Sequence, residues 1–300
     1  MPAGKMHVDE LDTDVSLVAQ LIAAQFPQWA DLPIEPVISD GTDHSIYRLG
    51  EDMTVRLPRI SWATGQVEKE QRWLPLLAPL LPLAIPVPLG KGSPAEGYPW
   101  QWSVYRWIEG ENATFERLAD PRQAAADLAQ FIAALQRIDP IGGPPPGPYN
   151  SFRGAPLAAR DAQTRAAIAN LEGMLDIGAV TAAWESALQA PAWDRPPVWI
   201  HGDLSSGNLL AVRGRLSAVL DFGCLGVGDP ACDTIVAWSL FSTEREAFRG
   251  ALQVDDATWA RGRGWALSTA LIALPYYQST NPAIAASARH KIEGVLADND

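Results

Sequence analysis

The run His201-Gly202-Asp203-Leu204-Ser205-Ser206-Gly207-Asn208-Leu209-Leu210 decides how the rest of the chain reads, with Asp221-Phe222-Gly223 following thirteen residues after Asn208. It places a carboxylate and a carboxamide in one tight, glycine-bearing loop. The second carboxylate follows the apolar stretch 216–220, which reads as a short strand. Two loops at strand ends thus carry oxygen-bearing side chains, the ligand type that a hard divalent cation prefers. A single Asp or Asn in a loop is ordinarily a turn former or a helix cap. Three of them in this order around two strands are not explained as caps.

Transfer of a phosphoryl group needs this set. The reaction rests on positioning and charge neutralisation rather than on covalent chemistry by the protein. It requires a carboxylate to orient an attacking hydroxyl and accept its proton, and oxygen ligands to hold Mg2+ against a polyphosphate. H-G-D-x-x-x-x-N followed by D-F-G resembles the catalytic and metal-binding loops of the protein-kinase-like fold. The H-G-D form, with Gly228-Asp229-Pro230-Ala231-Cys232-Asp233 after it, is similar to the aminoglycoside phosphotransferase family. Protein kinases carry H-R-D and A-P-E instead. The resemblance spans nearly the whole chain, from about residue 34 to the C-terminal helices. It implies that Asp203 is the catalytic base, that Asn208 and Asp221 hold Mg2+, and that ATP or GTP is the phosphoryl donor. It also implies a scaffolding part for His201, and that Asp229 and Asp233 brace the loop and cap the helix after it.

Upstream, the family's phosphate-contacting lysine matches the run Met53-Thr54-Val55-Arg56-Leu57-Pro58-Arg59. Strand alternation puts Met53, Val55 and Leu57 on one face and Thr54 and Arg56 on the other. The lysine position is therefore Arg56, a departure, since an arginine binds phosphates bidentately but does not substitute freely for lysine. Its helix partner is expected to be Glu70, beside the inward stripe of Trp73, Leu74 and Leu77. The resemblance places a nucleotide-covering loop at residues 40–45, where Ser45 is the side chain expected to bond phosphate oxygens. It places the hinge at residues 103–108, with Val104, Tyr105 and Trp107 lining the base.

The chain around these motifs falls into two parts. Helical spacing covers residues 15–26 and 66–77, and alternating runs at 45–49 and 53–57 flank Gly50-Glu51-Asp52 as a hairpin. Further strands are expected at 85–89 and 102–108, joined by a Gly/Pro-rich loop at 90–99. After Gly110 the pattern turns Ala/Leu-rich and helical at 120–138, 157–175 and 180–188, and again from residue 233 on. The fold class expected is α+β and bilobal, protein-kinase-like. Residues 1–105 form a small antiparallel β lobe with one helix that binds nucleotide. Residues 106–300 form a larger, mainly helical lobe for catalysis and acceptor binding. Three hundred residues suit two such parts.

Composition narrows the partners. With 23 Lys and Arg against 35 Asp and Glu, the net charge is −12, which disfavours a nucleic-acid binder. The longest apolar stretch, 73–89, is broken by five prolines, and the N-terminus lacks a basic-then-apolar signal pattern, so a soluble cytoplasmic protein is expected. Cys224 and Cys232 read as reduced, small buried residues. The tryptophans of the helical part, Trp238, Trp259 and Trp265, read as helix packing. The reaction expected is transfer to a hydroxyl of a cationic small molecule such as an aminoglycoside, drawn by Glu244, Glu246, Asp255 and Asp256 as a carboxylate cluster near Asp203. A macrolide, choline, amino sugar or hydroxyamino acid is the alternative acceptor. A non-catalytic, pseudokinase-like nucleotide-binding protein is the alternative function.

Overall fold

The computed structural model describes residues 10–38, 41 and 43–298. By internal contacts the chain divides into two units. One runs to Gly110 and includes Ala218–Gly223; the other comprises Glu111–Ser217 and the chain from Cys224 onward.

The first unit is built on a five-stranded antiparallel sheet. Its strands are β1 (Ile34–Pro36), β2 (His44–Leu49), β3 (Met53–Pro58), β4 (Pro88–Gly92) and β5 (Trp102–Arg106), in the order β1-β2-β3-β5-β4. Two helices accompany it, α1 (Val15–Gln25) and α2 (Thr64–Leu77). Asp14 caps α1 by accepting the Leu17 amide at 2.8 Å. The buried stripe Val18, Leu21 and Ile22 meets Tyr47, Leu49, Met53, Val55, Leu57, Trp102 and Val104 in one core. The opposite face of the sheet, with Arg56, Ser103 and Tyr105, is the one α2 covers: Gln71 Nε2 reaches Ser103 Oγ and the Gly90 carbonyl at 3.1 and 2.9 Å. Ala218–Gly223 joins this unit through a parallel bridge between Ala84 and Ala218, with the Val219 amide on the Ala84 carbonyl at 2.9 Å.

Strand β4 corrects two expectations, a strand at 85–89 and a loop from residue 90. The strand starts at Pro88 and runs through Gly90-Lys91-Gly92, which pair with Val104, Ser103 and Trp102. Glycines weaken a strand, but aromatic packing requires them here. A β-carbon at Gly92 would stand 1.9 Å from the Trp102 indole, and one at Gly90 would stand 2.8 Å from the Phe26 ring.

The second unit is mainly helical: α3 (Pro121–Arg137), α4 (Asp161–Asn170), α5 (Ile177–Leu188), α6 (Arg245–Leu252), α7 (Asp256–Tyr277) and α8 (Pro282–Leu296). Its strands are β6 (Glu111–Asn112), β7 (Val198–Ile200), β8 (Leu209–Val212), β9 (Arg215–Val219), along which the chain passes into the first unit, and β10 (Gly226–Gly228). Sheet order is β6-β8-β9, with β7 and β10 paired separately. The expected helix at 157–175 is a 3-10 turn (Leu157–Arg160) followed by α4, and the expected helical start at 233 is a 3-10 segment (Pro230–Trp238). Trp184, Trp199, Trp238 and Trp265 are fully buried in this unit. Helix α7 comes close to its neighbours because Gly262 and Gly264 lack side chains. A β-carbon there would collide with Thr234 Oγ1 and Leu157.

Candidate active site

In the first unit, β3 presents Arg56 on the face toward α2, where Glu70 is almost fully buried. Arg56 Nη1 lies 3.4 and 3.5 Å from the two Glu70 carboxylate oxygens. Its Nη2 is 3.7 Å from Asp221 Oδ1 and 3.4 Å from His44 Nδ1. A guanidinium only donates, so the His44 nitrogen is the acceptor. Burial, aided by the nearby Arg56, pushes His44 down to about 3, which keeps that nitrogen free to accept. Burial alone would weaken the charge on Arg56, but Glu70 and Asp221 outweigh it and raise its pKa above the usual arginine value. The Tyr105 hydroxyl donates to Glu70, and the Arg56 guanidinium stands 5.6 Å from the centre of the Tyr105 ring.

Asp221 sits at φ +58°, a left-handed conformation that Asp tolerates better than most residues. Its Oδ1 accepts the Gly223 amide at 3.1 Å, and Lys69 Nζ donates to the Gly223 carbonyl. Phe222 is fully buried, and the turn leaves the Asp221 carboxylate 39% exposed.

In the second unit, β7 delivers the loop that opens at His201. Asp233 ties it down from below, its two oxygens accepting the His201 and Gly202 amides at 2.9 and 2.6 Å. Burial raises the Asp233 pKa, against His201 and these amides, which favour its charge. His201 Nδ1 accepts the Asp203 amide at 3.2 Å, so this fully buried ring orients the loop. Asn208 Nδ2 donates to the Asp203 carbonyl at 2.8 Å and to Asp203 Oδ2 at 3.1 Å. The Asp203 side chain stays 48% exposed. Asp229 caps the following 3-10 segment through the Ala231 amide and forms a buried two-point pair with Arg261 at 2.6 and 3.0 Å.

Arg56, Glu70 and Asp221 are thus brought together in the first unit, and Asp203 and Asn208 in the second. Three expected side chains are placed differently. Ser45 is buried, and its hydroxyl is taken by Thr13 at 2.6 Å and Arg59 at 3.0 Å. Val104 belongs to the core and the Tyr105 hydroxyl donates to Glu70, so both side chains are packed within this unit. Strand β5 is central, paired to β3 and β4, and its residues 102–105 are buried while Arg106 is exposed. Trp107 lies just past the strand, with the Arg48 guanidinium 4.2 Å from its ring centre.

Of the four acids expected to cluster, Asp255 and Asp256 are engaged elsewhere. Asp255 caps α7 through the Thr258 amide and pairs with Arg195, and Asp256 pairs with Arg249. A cavity of about 310 Å³ opens beside Ser206, and none of the four acids lines it. Its hydroxyls come from Thr114, Ser239, Ser242 and Thr243, and its ionisable groups are Glu116 and His290. Two cations near Asp203 carry no motif: Arg153, from a loop far upstream, and Lys291 on α8. Burial pushes Lys291 down to about 8, with Asp203 opposing and Arg153 reinforcing the shift.

Each unit offers an oxygen donor of the kind that Mg2+ prefers. Because Asn208 commits its amide nitrogen to Asp203, its oxygen is left for a hard cation, and Asp221 supplies an exposed carboxylate. Among the described residues no group of three His, Cys, Asp or Glu side chains could hold a metal. Mg2+ commonly binds through one or two protein oxygens plus substrate phosphates and waters.

The model of the phosphotransferase enzyme family matches residues 36–265, and the chain belongs to that family. Among solved structures, the GDP complex of wild-type aminoglycoside 2'-phosphotransferase-IIIa aligns with a TM-score of 0.76 and 18% identity, over 96% of this chain and 100% of that one. The GDP and kanamycin complex of APH(2")-IIia gives 0.74 and 20%, over 94% and 99%. Macrolide 2'-phosphotransferase MphH from Brachybacterium faecium gives 0.57 and 21%, over 96% and 99%. These likenesses are of fold. A search of curated protein sequences finds no significant match. Among the described residues no helix is long and apolar enough to cross a membrane.

Proposed function

We propose that the protein is a small-molecule kinase that moves the γ-phosphoryl group of ATP or GTP to a hydroxyl of a hydroxylated cation such as an aminoglycoside. The observation that carries the reading is the state of Asp203. Asn208 and His201 fix its carboxylate and backbone, yet half of its side chain stays open. That is what a base needs in order to meet an incoming hydroxyl in one geometry. Asp203 takes the hydroxyl proton as the acceptor oxygen bonds to the γ-phosphorus. The bond from that phosphorus to the bridging oxygen breaks, and the nucleoside diphosphate leaves. Arg56, held by Glu70 and His44, faces the phosphates. Asn208 and Asp221 hold Mg2+, which when bound neutralises charge on the phosphate oxygens.

A net charge of −12 favours a cationic acceptor by long-range attraction, and related folds have been solved with kanamycin and gentamicin. The cavity beside Ser206, rich in hydroxyls, is the place we assign to the acceptor. A coupled nucleotide-consumption assay over hydroxylated amines, macrolides and hydroxyamino acids tests this. The expected result is turnover with a cationic acceptor whose kcat/KM falls as salt rises. A neutral or anionic best acceptor, or a flat salt profile, ends the cationic reading.

The arginine at the lysine position has its own test. Arg56→Lys is expected to keep part of the activity, with a raised nucleotide KM, because a lysine places one charge but cannot fork between Glu70 and Asp221. Arg56→Ala is expected to keep very little. Equal, full activity of both in steady-state kinetics would remove Arg56 from the phosphate site.

A further inference from the structure

The loop Gly147–Ala155 holds an unusual run of backbone conformations. Ser151 and Phe152 lie at φ +53° and +58°, and Gly154 at +81°. Left-handed backbone is unfavourable for a residue with a β-carbon, and Phe152 gains little in return, because its ring is 41% exposed. Such conformations persist where the surroundings over-determine them, and they cluster at functional sites. Here Asn150 enforces the loop: its side chain accepts the Gly147 amide at 2.9 Å and donates to the Arg153 carbonyl at 3.3 Å. The Phe152 amide also reaches the Gly147 carbonyl at 2.9 Å.

The outcome is a fixed Arg153. Its side chain is 90% buried, its Nε donates to the Gly202 carbonyl at 2.6 Å, and its Nη2 stands 3.8 Å from Asp203 Oδ1. The guanidinium lies 5.3 Å from the centre of the Trp265 ring. Gly202, at φ +84°, leaves room for the arginine stem: a β-carbon there would stand 3.1 Å from Arg153 Cβ. Among the described residues Asp203 is the one carboxylate within ion-pair distance of it. Nη1 is buried with no acceptor. A buried cation with an unanswered donor is costly to hold, more than a purely structural role calls for.

We propose that Arg153 is a positioning residue for Asp203, an inference that rests on the reading of Asp203 as the base. Asn208 holds Oδ2 from one side and Arg153 faces Oδ1 from the other. The two together set the carboxylate torsion and the direction in which its open side meets the acceptor hydroxyl. Arg153 also pins the carbonyl of Gly202, so the loop and the carboxylate are aligned by one side chain.

The test compares Arg153→Met and Arg153→Lys with wild type by thermal melting and by kcat and KM for nucleotide and acceptor. Arg153→Met is expected to fold with a lowered melting temperature, because the Gly202 carbonyl loses its donor, to lower kcat about 100-fold through misalignment of the base, and to leave nucleotide KM unchanged. Arg153→Lys keeps charge and stem, and is expected to fold and to give an intermediate kcat. In an Asp203→Asn background, Arg153→Met is expected to cost nothing further, because the two residues act as a unit. Wild-type kcat in folded Arg153→Met and Arg153→Lys, beside an inactive Asp203→Asn, would overturn the proposal alone. So would a full additional loss in the Asp203→Asn background. Full activity of Asp203→Asn would overturn the reading of the base, and the proposal with it.

Discussion

Asp203→Asn is expected to lower kcat about 1000-fold while nucleotide affinity stays at the wild-type value. An amide at this position keeps the shape and can still accept from Asn208, so the loop folds as before. It cannot take a proton. The hydrogen bonds of Asp203 run to His201 and Asn208, and its ion pair runs to Arg153, all in the second unit. The Arg56–Glu70–Asp221 network, assigned to the phosphates, belongs to the first. Turnover assays give the kcat, and calorimetric titration with nucleotide and Mg2+ gives the affinity. Lost nucleotide binding in the variant would contradict the division of labour between Asp203 and that network.

Asp221→Asn is expected to do the reverse. It removes the charge that pairs with Arg56 and that we assign to the metal, and nucleotide binding is expected to lose its dependence on Mg2+. Asparagine is the informative substitution because the position is left-handed, at φ +58°, where Asn is tolerated and Ala is strained. Its side-chain oxygen can still accept the Gly223 amide, as Asp221 Oδ1 does now at 3.1 Å. Titrations with and without Mg2+ decide the matter. A variant whose nucleotide affinity still rises on adding Mg2+ takes Asp221 out of the metal site.

The elements legible in the sequence are those whose periodicity and caps agree. Helix α1 shows its apolar stripe and Asp14, α3 starts on Asp120-Pro121, and the β2–β3 hairpin alternates cleanly about Gly50. What was hidden depends on partners distant in the chain. Gly90 and Gly92 read as loop because the reason for them, the rings of Phe26 and Trp102, is not local. The pairing of β6 with β8 joins two residues to a strand about a hundred positions away, too little for any pattern to reveal.

The site divides in the same way. Arg56 and Glu70 were legible through the family resemblance, with strand alternation and helical spacing fixing their faces, and the structure pairs them. Val104 and Tyr105 were placed at the hinge by resemblance alone, and alternation along β5 could not show that both side chains are buried. Glu244, Glu246, Asp255 and Asp256 suggested a charged pocket, whereas Asp255 serves as a cap and Asp256 as an ion-pair partner. Arg153 left no trace, since 49 residues separate it from the carbonyl it holds.

The most direct test of phosphoryl transfer to an alcohol is mass spectrometry of an acceptor mixture incubated with the protein, ATP or GTP, and Mg2+. The mixture holds aminoglycosides, macrolides, choline, amino sugars and hydroxyamino acids. One class is expected to gain the mass of a single phosphoryl group with wild-type protein, and none with Asp203→Asn. Normal nucleotide binding with no phosphorylated acceptor in any class would contradict that expectation and leave a nucleotide-binding protein without catalysis.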